Sequence, residues 1–328
     1  MKIKSFLFNT FLTLISTSIF SFSNIVVDNE VHTWNKYSSH QLIGDQESGS
    51  LFDPFIMYNN NNNEYNLVVS NRKKGSIVLY KSKNGIDFDD NYITLLSPSS
   101  NEYVYNRCSI VYKNKKYYMY FTKQYKDNNV IVKSEIFLAI SKDGINYNIV
   151  SDNPVISYTE TYEKNSVMNP SVVYDEMKKE FKMYYAAGEI YEPDVICMAS
   201  SKDGLKWKKY KKNPILEKNK NDDSLDNYKV GGPEVHIFNE KYYMYYIGYS
   251  DIDTGRIFSI TSEDGINWDR KTQKLVIEPI KNDFDADAVY KPSLIYNERE
   301  DKILLYYNGR TGGSEYIGLY TKTGNYDN

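Results

Sequence analysis

Apolar runs of strand length recur along this chain at near-constant spacing, each bounded by polar turn residues: Tyr65 to Val69, Tyr117 to Phe121, Phe181 to Tyr185, Tyr242 to Tyr246 and Ile303 to Tyr307. Short runs rich in aromatic and β-branched residues read as buried strands. Between them one turn repeats: Ser82-Lys83-Asn84-Gly85, Ser141-Lys142-Asp143-Gly144, Ser201-Lys202-Asp203-Gly204, Ser262-Glu263-Asp264-Gly265 and the weaker Thr321-Lys322-Thr323-Gly324. The glycines are 59, 60, 61 and 59 residues apart. Asn-Gly and Asp-Gly supply the left-handed backbone that hairpin turns need. Three residues beyond four of these glycines an aromatic, Phe88, Tyr147, Trp207 or Trp268, opens the next strand.

A second motif keeps phase with the first: Asp53-Pro54-Phe55-Ile56, Arg107-Cys108-Ser109-Ile110, Asn169-Pro170-Ser171-Val172, Gly232-Pro233-Glu234-Val235 and Lys291-Pro292-Ser293-Leu294. Proline is tolerated at the start of a strand, where its missing donor costs nothing. Each unit then holds about four strands, the content of one propeller blade. The pattern predicts an all-β fold, a five-bladed β-propeller. After Gly324 the last unit runs out before its fourth strand, whereas Trp34-Asn35-Lys36-Tyr37 copies the fourth-strand pattern of Trp207-Lys208-Lys209-Tyr210. The N-terminal strand is therefore expected to complete the last blade and close the ring. The asparagines at 59–63 fall at a loop tip.

Two lysines, Lys2 and Lys4, precede an apolar run from Phe6 to Phe20 and the small residues Ser21 and Ser23. This reads as a signal peptide over residues 1–23, followed by a single propeller domain over 24–328. A secreted or periplasmic location follows, with no stable membrane insertion after cleavage; the competing reading is an uncleaved anchor. In the 328 residues the charge is near balance at −3 and the lysines are scattered, which argues against a nucleic-acid partner. Cys108 and Cys197 are too few to staple the chain and lack the spacing of a zinc site. They are expected to be packed thiols, the protein a monomer, and most of the 33 tyrosines a strand signature.

Alternate residues of a strand share a face. The positions on either side of the repeated proline are thus expected to form two rings around the channel. The upper one is Asp53, Arg107, Asn169, Gly232 and Lys291; the lower is Phe55, Ser109, Ser171, Glu234 and Ser293. A third layer, Met57, Val111, Val173, His236 and Ile295, makes an apolar floor in which His236 reads as a core histidine. Blades two and five put Arg107 and Lys291 on either side of Asp53 and favour its ionised form. Glu234, beside Gly232 and among serines without an evident cation, is expected to keep its proton. One anion and one acid is the division of labour of a glycosidase; an ordinary salt-bridged ring is the plainer alternative. Glu47, Glu163, Asp226 and Asp285 each lie seven residues before the repeated position and are expected to cap blade turns. Loops on the same face carry Arg72 and Arg310, suited to gripping sugar hydroxyls or an acidic group, and Tyr191, Tyr249 and Tyr105 are assigned to the rim.

These blade-opening Asp-Pro and Pro-Ser-Val motifs, Tyr-Tyr-Met-Tyr-Tyr strands and Ser-x-Asp-Gly-x-x-Trp turns resemble the five-bladed propeller glycosidases. That superfamily contains arabinanases, xylosidases, levansucrases and invertases, and the sequence leans toward family 43. The resemblance covers essentially the whole chain after residue 23. It implies Asp53 as nucleophile or base and a later-blade glutamate as acid, matched in blade by Glu234, although the family position is that of Gly231. It also implies a middle-blade aspartate that stabilises the transition state, replaced here by Asn169. The catalytic set is thus Asp53, Glu234 and Asn169, with Arg107, Lys291, Arg72, Arg310, Ser171 and Ser293 on the carbohydrate. No cofactor is expected; a channel calcium ion, known in some members, is all that points to a metal. The implied activity is hydrolysis of O-glycosidic bonds in an oligo- or polysaccharide. The alternative is a carbohydrate-binding propeller that has lost its chemistry. A sialidase needs three converging arginines and more blades, and a mannoside phosphorylase a larger cation cluster.

Overall fold

The computed structural model describes residues 33–44 and 50–327. The proposed signal peptide and Glu47 lie outside them. A short strand β1 (Asn35–Lys36) comes first. Blade 1 holds β2 (Leu51–Asn59), β3 (Glu64–Asn71), β4 (Ser76–Ser82) and β5 (Ile93–Leu96). Blade 2 holds β6 (Tyr103–Lys113), β7 (Lys116–Asp127), β8 (Val130–Ser141) and β9 (Asn148–Ile149). Blade 3 holds β10 (Val167–Asp175), β11 (Glu180–Ala187), β12 (Val195–Ser201) and β13 (Lys208–Lys209). Blade 4 holds β14 (Lys229–Phe238), β15 (Lys241–Tyr249), β16 (Gly255–Ser262) and β17 (Asp269–Ile277). Blade 5 runs β18 (Ala288–Asn297), β19 (Lys302–Thr311) and β20 (Ser314–Thr323), and β1 pairs with β20 as its fourth strand, Asn35 opposite Thr321. Each blade is an antiparallel four-stranded sheet, and β2, β6, β10, β14 and β18 touch one another in a closed cycle around the axis.

The core is divided among the five junctions between blades. Phe55 and Leu79 meet Cys108 and Phe121 between blades 1 and 2; Leu51 and Val69 meet Tyr306 and Leu319 where blade 5 meets blade 1. Cys108 and Cys197 are buried and unpaired, and burial pushes both thiols up to about 12, so they are packing groups.

The tyrosines divide by strand alternation into two jobs. Tyr120, Tyr184 and Tyr306 each send a hydroxyl to the glycine carbonyl of the next blade's turn, at Gly204 (2.8 Å), Gly265 (2.9 Å) and Gly85. In those turns serine and aspartate tie the loop to itself: Ser201 Oγ accepts from Gly204 N, and Asp203 Oδ1 from Leu205 N and Lys206 N. The turn aromatic packs on the same tyrosine, Trp207 at 5.4 Å from Tyr120 and Trp268 at 5.9 Å from Tyr184. Trp34 takes that place against Tyr245, at 6.1 Å, where the fifth turn has Asp327 at the aromatic position.

The neighbouring tyrosines face inward to a buried acid. Tyr185, Tyr246 and Tyr307 donate to Glu163, Asp226 and Asp285, and each acid also takes a cation from the fourth strand: Lys209 (2.6 Å), Arg270 (2.5 Å) and Lys36 (2.6 Å). The acids recurring seven residues before the proline position are thus bolts that fasten outer strand to inner loop, with β1 supplying the third.

Replacing Lys36 with methionine leaves the fully buried Asp285 without its cation. Unfolding by urea is expected to register a loss of about 3 kcal/mol. The exposed Lys83, paired with Glu64 on the surface, should lose less than about 1 kcal/mol on the same change.

Candidate active site

The positions before the repeated proline are the structural key. Asp53, Arg107, Asn169, Gly232 and Lys291 all take left-handed backbone, with φ of 57°, 27°, 54°, 51° and 54°. In every blade the register slips at this point, so each inner strand carries a β-bulge. Three freed N–H groups are caught by the preceding blade: Asp53 N by Asn308 Oδ1 (3.1 Å), Arg107 N by Ser70 Oγ (2.9 Å) and Asn169 N by Thr122 Oγ1 (3.0 Å). The bulge turns Asp53, Asn169 and Lys291 toward the channel mouth.

Above the ring lies a cleft of about 680 Å³ with Asp53, Asn169 and Lys291 on its floor. Lys291 Nζ is 3.1 Å from Asp53 Oδ1 and 3.3 Å from Asn169 Oδ1. The Ser70 hydroxyl is 3.5 Å from Asp53 Oδ2. Asn169 Nδ2 has no hydrogen-bond partner among the described residues, a spare donor on the floor. Arg72 and Arg310 form part of the wall with Tyr191, Tyr249 and Glu192, and the long β7–β8 hairpin adds Lys126 and Ile131. Arg72 pairs with Glu315 and lies 4.5 Å over the Phe52 ring, whereas Arg310 donates to the Asp253 carbonyl at 2.8 Å.

Arg107 does not flank Asp53 as the ring order suggests. Wholly buried, it reaches one layer down: its guanidinium donates to Glu234 Oε2 (2.8 Å), Pro54 O (2.8 Å) and Pro292 O (3.1 Å). Glu234 therefore has the cation that the sequence reading denied it, and neither residue lines the cleft. Burial still pushes the Glu234 carboxyl up to about 7, against the pull of Arg107 and the serines. Ser171 and Ser293 are also below the cleft. Their hydroxyls accept the backbone N–H of Val235 (2.9 Å) and Ile56 (3.0 Å) in the next blade, and Ser293 donates to Glu234 at 3.3 Å, so they stitch inner strands together. His236 stacks on Tyr326 and is held to about 4 by burial, a neutral ring 3.7 Å from Glu234. Tyr105 belongs to the core between blades 1 and 2, not to the rim, while Tyr191 is exposed on the cleft wall. Among the described residues no cluster of three or more His, Cys, Asp and Glu is arranged to hold a metal ion.

Besides Glu315, which pairs with Arg72, the cleft holds Glu192, an acid that the repeat pattern does not single out. It sits in the β11–β12 loop, and burial raises its carboxyl above the usual range while the Tyr249 hydroxyl donates to it. Glu192 borders the cleft from a loop outside the repeated motifs, so no repeat marks it.

A five-bladed ring whose channel opens on a cleft with a cation-paired carboxylate is the architecture of the propeller carbohydrate-active enzymes. The model of the family described as Glycosyl hydrolases family 32 N-terminal domain matches residues 110–279, just over half of the chain, and the protein belongs to that family. The match falls within the superfamily that the motifs resemble, in family 32 where the sequence leans to family 43. The uncharacterized protein Rv1502 of Mycobacterium tuberculosis is 28% identical over 189 residues, 55% of this chain and 60% of that protein. The chain thus spans less than two thirds of that relative's length. Among solved structures, one described as a glycoside hydrolase superposes with a TM-score of 0.69 at 18% identity, over 87% of this chain and 90% of that one. An N-acetylgalactosamine deacetylase from F. plautii, in complex with blood group B trisaccharide, gives 0.67 at 15% identity, over 88% and 95%. Likeness at these identities speaks for the fold alone.

The buried Glu234 makes a pH prediction. Between its ordinary value of 4.5 and about 7 the folded protein keeps a proton that the unfolded chain has released. The stabilisation is full below 4.5 and is lost as pH rises through about 7. Urea unfolding across this range should show a falling contribution of up to about 1.4 kcal/mol per pH unit, absent in Glu234→Gln.

Proposed function

We propose that the protein is an exported glycoside hydrolase that cleaves an O-glycosidic bond of an oligo- or polysaccharide seated in the channel-mouth cleft. The observation that carries this reading is Asp53: a buried carboxylate on the cleft floor, 3.1 Å from Lys291, with open space above it. A carboxylate below the sugar, with the Lys291 ammonium beside it, is what meets the positive charge of an oxocarbenium-like transition state, as nucleophile or as base to water. Family membership supports the same reaction class. Asn169 offers an unpaired amide donor for a hydroxyl, and Arg72 and Arg310 offer bidentate donors at the wall. Of the carboxylate pair expected from sequence, Asp53 alone borders the cleft; Glu234, with Arg107, sets the charge beneath it. Export is supported by Lys2, Lys4 and the apolar run after them, and the mature chain is then expected to begin at Asn24. The closed ring supports a monomer.

One observation favours a second reading, a carbohydrate-binding propeller without chemistry: the neutral Asn169 stands where the superfamily carries an acid.

A panel of aryl glycosides and oligosaccharides separates the two. Hydrolysis is expected on one class, and Asp53→Asn should lower kcat/KM on the order of a thousandfold or more while sugar binding, followed by calorimetry, persists. Sugar binding without turnover in the native protein would establish the binding module, and full activity in Asp53→Asn would remove Asp53 from the chemistry.

A further inference from the structure

Besides Asp53 the cleft holds the carboxyls of Glu192 and Glu315; Glu315 is taken by Arg72 and the Tyr290 hydroxyl, whereas the loop that carries Glu192 sets it apart from the acids around it. The β11–β12 loop contains Glu189, Glu192 and Asp194. Glu189 is held by Lys164 (3.0 Å) and Lys229 (2.7 Å), and Asp194 by the same two lysines at 2.8 and 3.2 Å. Lys229 also donates to the Glu192 carbonyl oxygen at 3.1 Å, which fixes the loop backbone. Glu192 itself has no cation within ion-pair distance among the described residues; its side chain accepts the Tyr249 hydroxyl and borders the cleft. Two lysines thus neutralise the flanking acids and leave the middle one facing the ligand space.

Asp53 rises from blade 1 and Glu192 comes over from blade 3, two blades that are not neighbours, so a sugar on the floor lies between them. Their surroundings differ in the sense that acid–base chemistry needs. Asp53 has an ammonium at 3.1 Å. The groups facing Glu192 are the phenols of Tyr249 and Tyr290 and, at longer range, Lys291, Arg310 and Lys229; burial outweighs them and holds its carboxyl above the ordinary range. Burial, together with the Glu192 charge, keeps the Tyr249 phenol protonated, so it remains a donor throughout the working range. Glu234 cannot fill the role from beneath the cleft, with its oxygens on Arg107 and Ser293.

We propose that Glu192 is the catalytic acid of this site, delivering its proton to the glycosidic oxygen. The assignment rests on the glycosidase reading. The bond between the anomeric carbon and the glycosidic oxygen breaks, its electron pair stays on that oxygen, and the Glu192 proton makes the leaving alcohol. Water then adds to the anomeric carbon. Its proton goes to Asp53 if water attacks directly, or to the Glu192 carboxylate if a glycosyl ester of Asp53 forms first. Nothing else is consumed.

Leaving-group dependence tests this directly. On the sugar that the native enzyme cleaves, Glu192→Gln is compared on a 2,4-dinitrophenyl glycoside, whose phenolate departs without protonation, and on a glycoside with an alkyl or sugar leaving group. The expected result is a loss on the order of a thousandfold in kcat/KM on the unactivated substrate and less than about tenfold on the activated one, with the basic limb of the pH–rate profile gone. Asp53→Asn should fall on both. Tyr249→Phe removes a hydrogen bond that favours the charged carboxylate, so its basic limb should move to higher pH. Equal losses on the two substrates, or none on either, would overturn the assignment while the native activity stands. A native protein that turns over no glycoside overturns the glycosidase reading and the assignment with it.

Discussion

Everything at the channel depends on one backbone constraint, the left-handed residue repeated at the head of each inner strand. Left-handed backbone costs a non-glycine residue roughly 1 kcal/mol or more. Asparagine and aspartate bear it best, which suits Asn169 and Asp53; Arg107 and Lys291 have no such tolerance. For these two the compensation is electrostatic: each places a cation against a carboxyl group at the channel. The bulge also breaks the ladder, and Asn308, Ser70 and Thr122 from preceding blades take up N–H groups that would otherwise be buried unpaired. Strain at the ring is thereby coupled to contacts between blades, and the geometry of the cleft floor is set by neighbours on both sides.

The two ion pairs are stacked in layers, and the neutral residue at 169 determines how the upper one behaves. With an aspartate there, Lys291 would be divided between two anions. The amide of Asn169 accepts weakly from Lys291 and leaves the cation to Asp53. The lower pair, Arg107 with Glu234, lies beneath the cleft, and because burial holds the Glu234 carboxyl up to about 7 the charge under the floor changes with pH. What reads in isolation as the loss of an acid is, in this ring, part of how the remaining acid is held.

The blades were legible because their signals are local. Ser-x-Asp-Gly binds its own turn, so the motif and its 60-residue spacing survive in sequence whatever the packing, and Trp34-Asn35-Lys36 announces the fourth strand that β1 supplies. Strand alternation also brought Asp53, Asn169 and Lys291 together correctly. It did not reveal the bulge, because a period of two says which face a side chain takes and nothing of depth. Arg107 illustrates the gap: a long side chain from the upper ring crosses to a carboxylate in the lower one, contributed by a blade two units away. Ser171 and Ser293 look like ligand contacts by position, yet backbone N–H groups of the adjoining blade claim them. Glu192 was one of three acids in a loop, and only the lysines that neutralise the other two make it distinct.

The bolt between Lys36 and Asp285 joins residues 249 apart in the chain. Closing such a loop costs entropy that grows slowly with its length, but it defers the last strand until the other blades exist. Until residues 33–43 dock, β20 presents a ten-residue edge with free hydrogen-bonding groups. That edge does not distinguish its own β1 from the β1 of another copy, since the two are chemically identical. Closure within one chain wins only by effective concentration. The device that removes the propeller's exposed edge is therefore also its route to strand-exchanged dimers, and crowding of half-closed rings decides between the two outcomes.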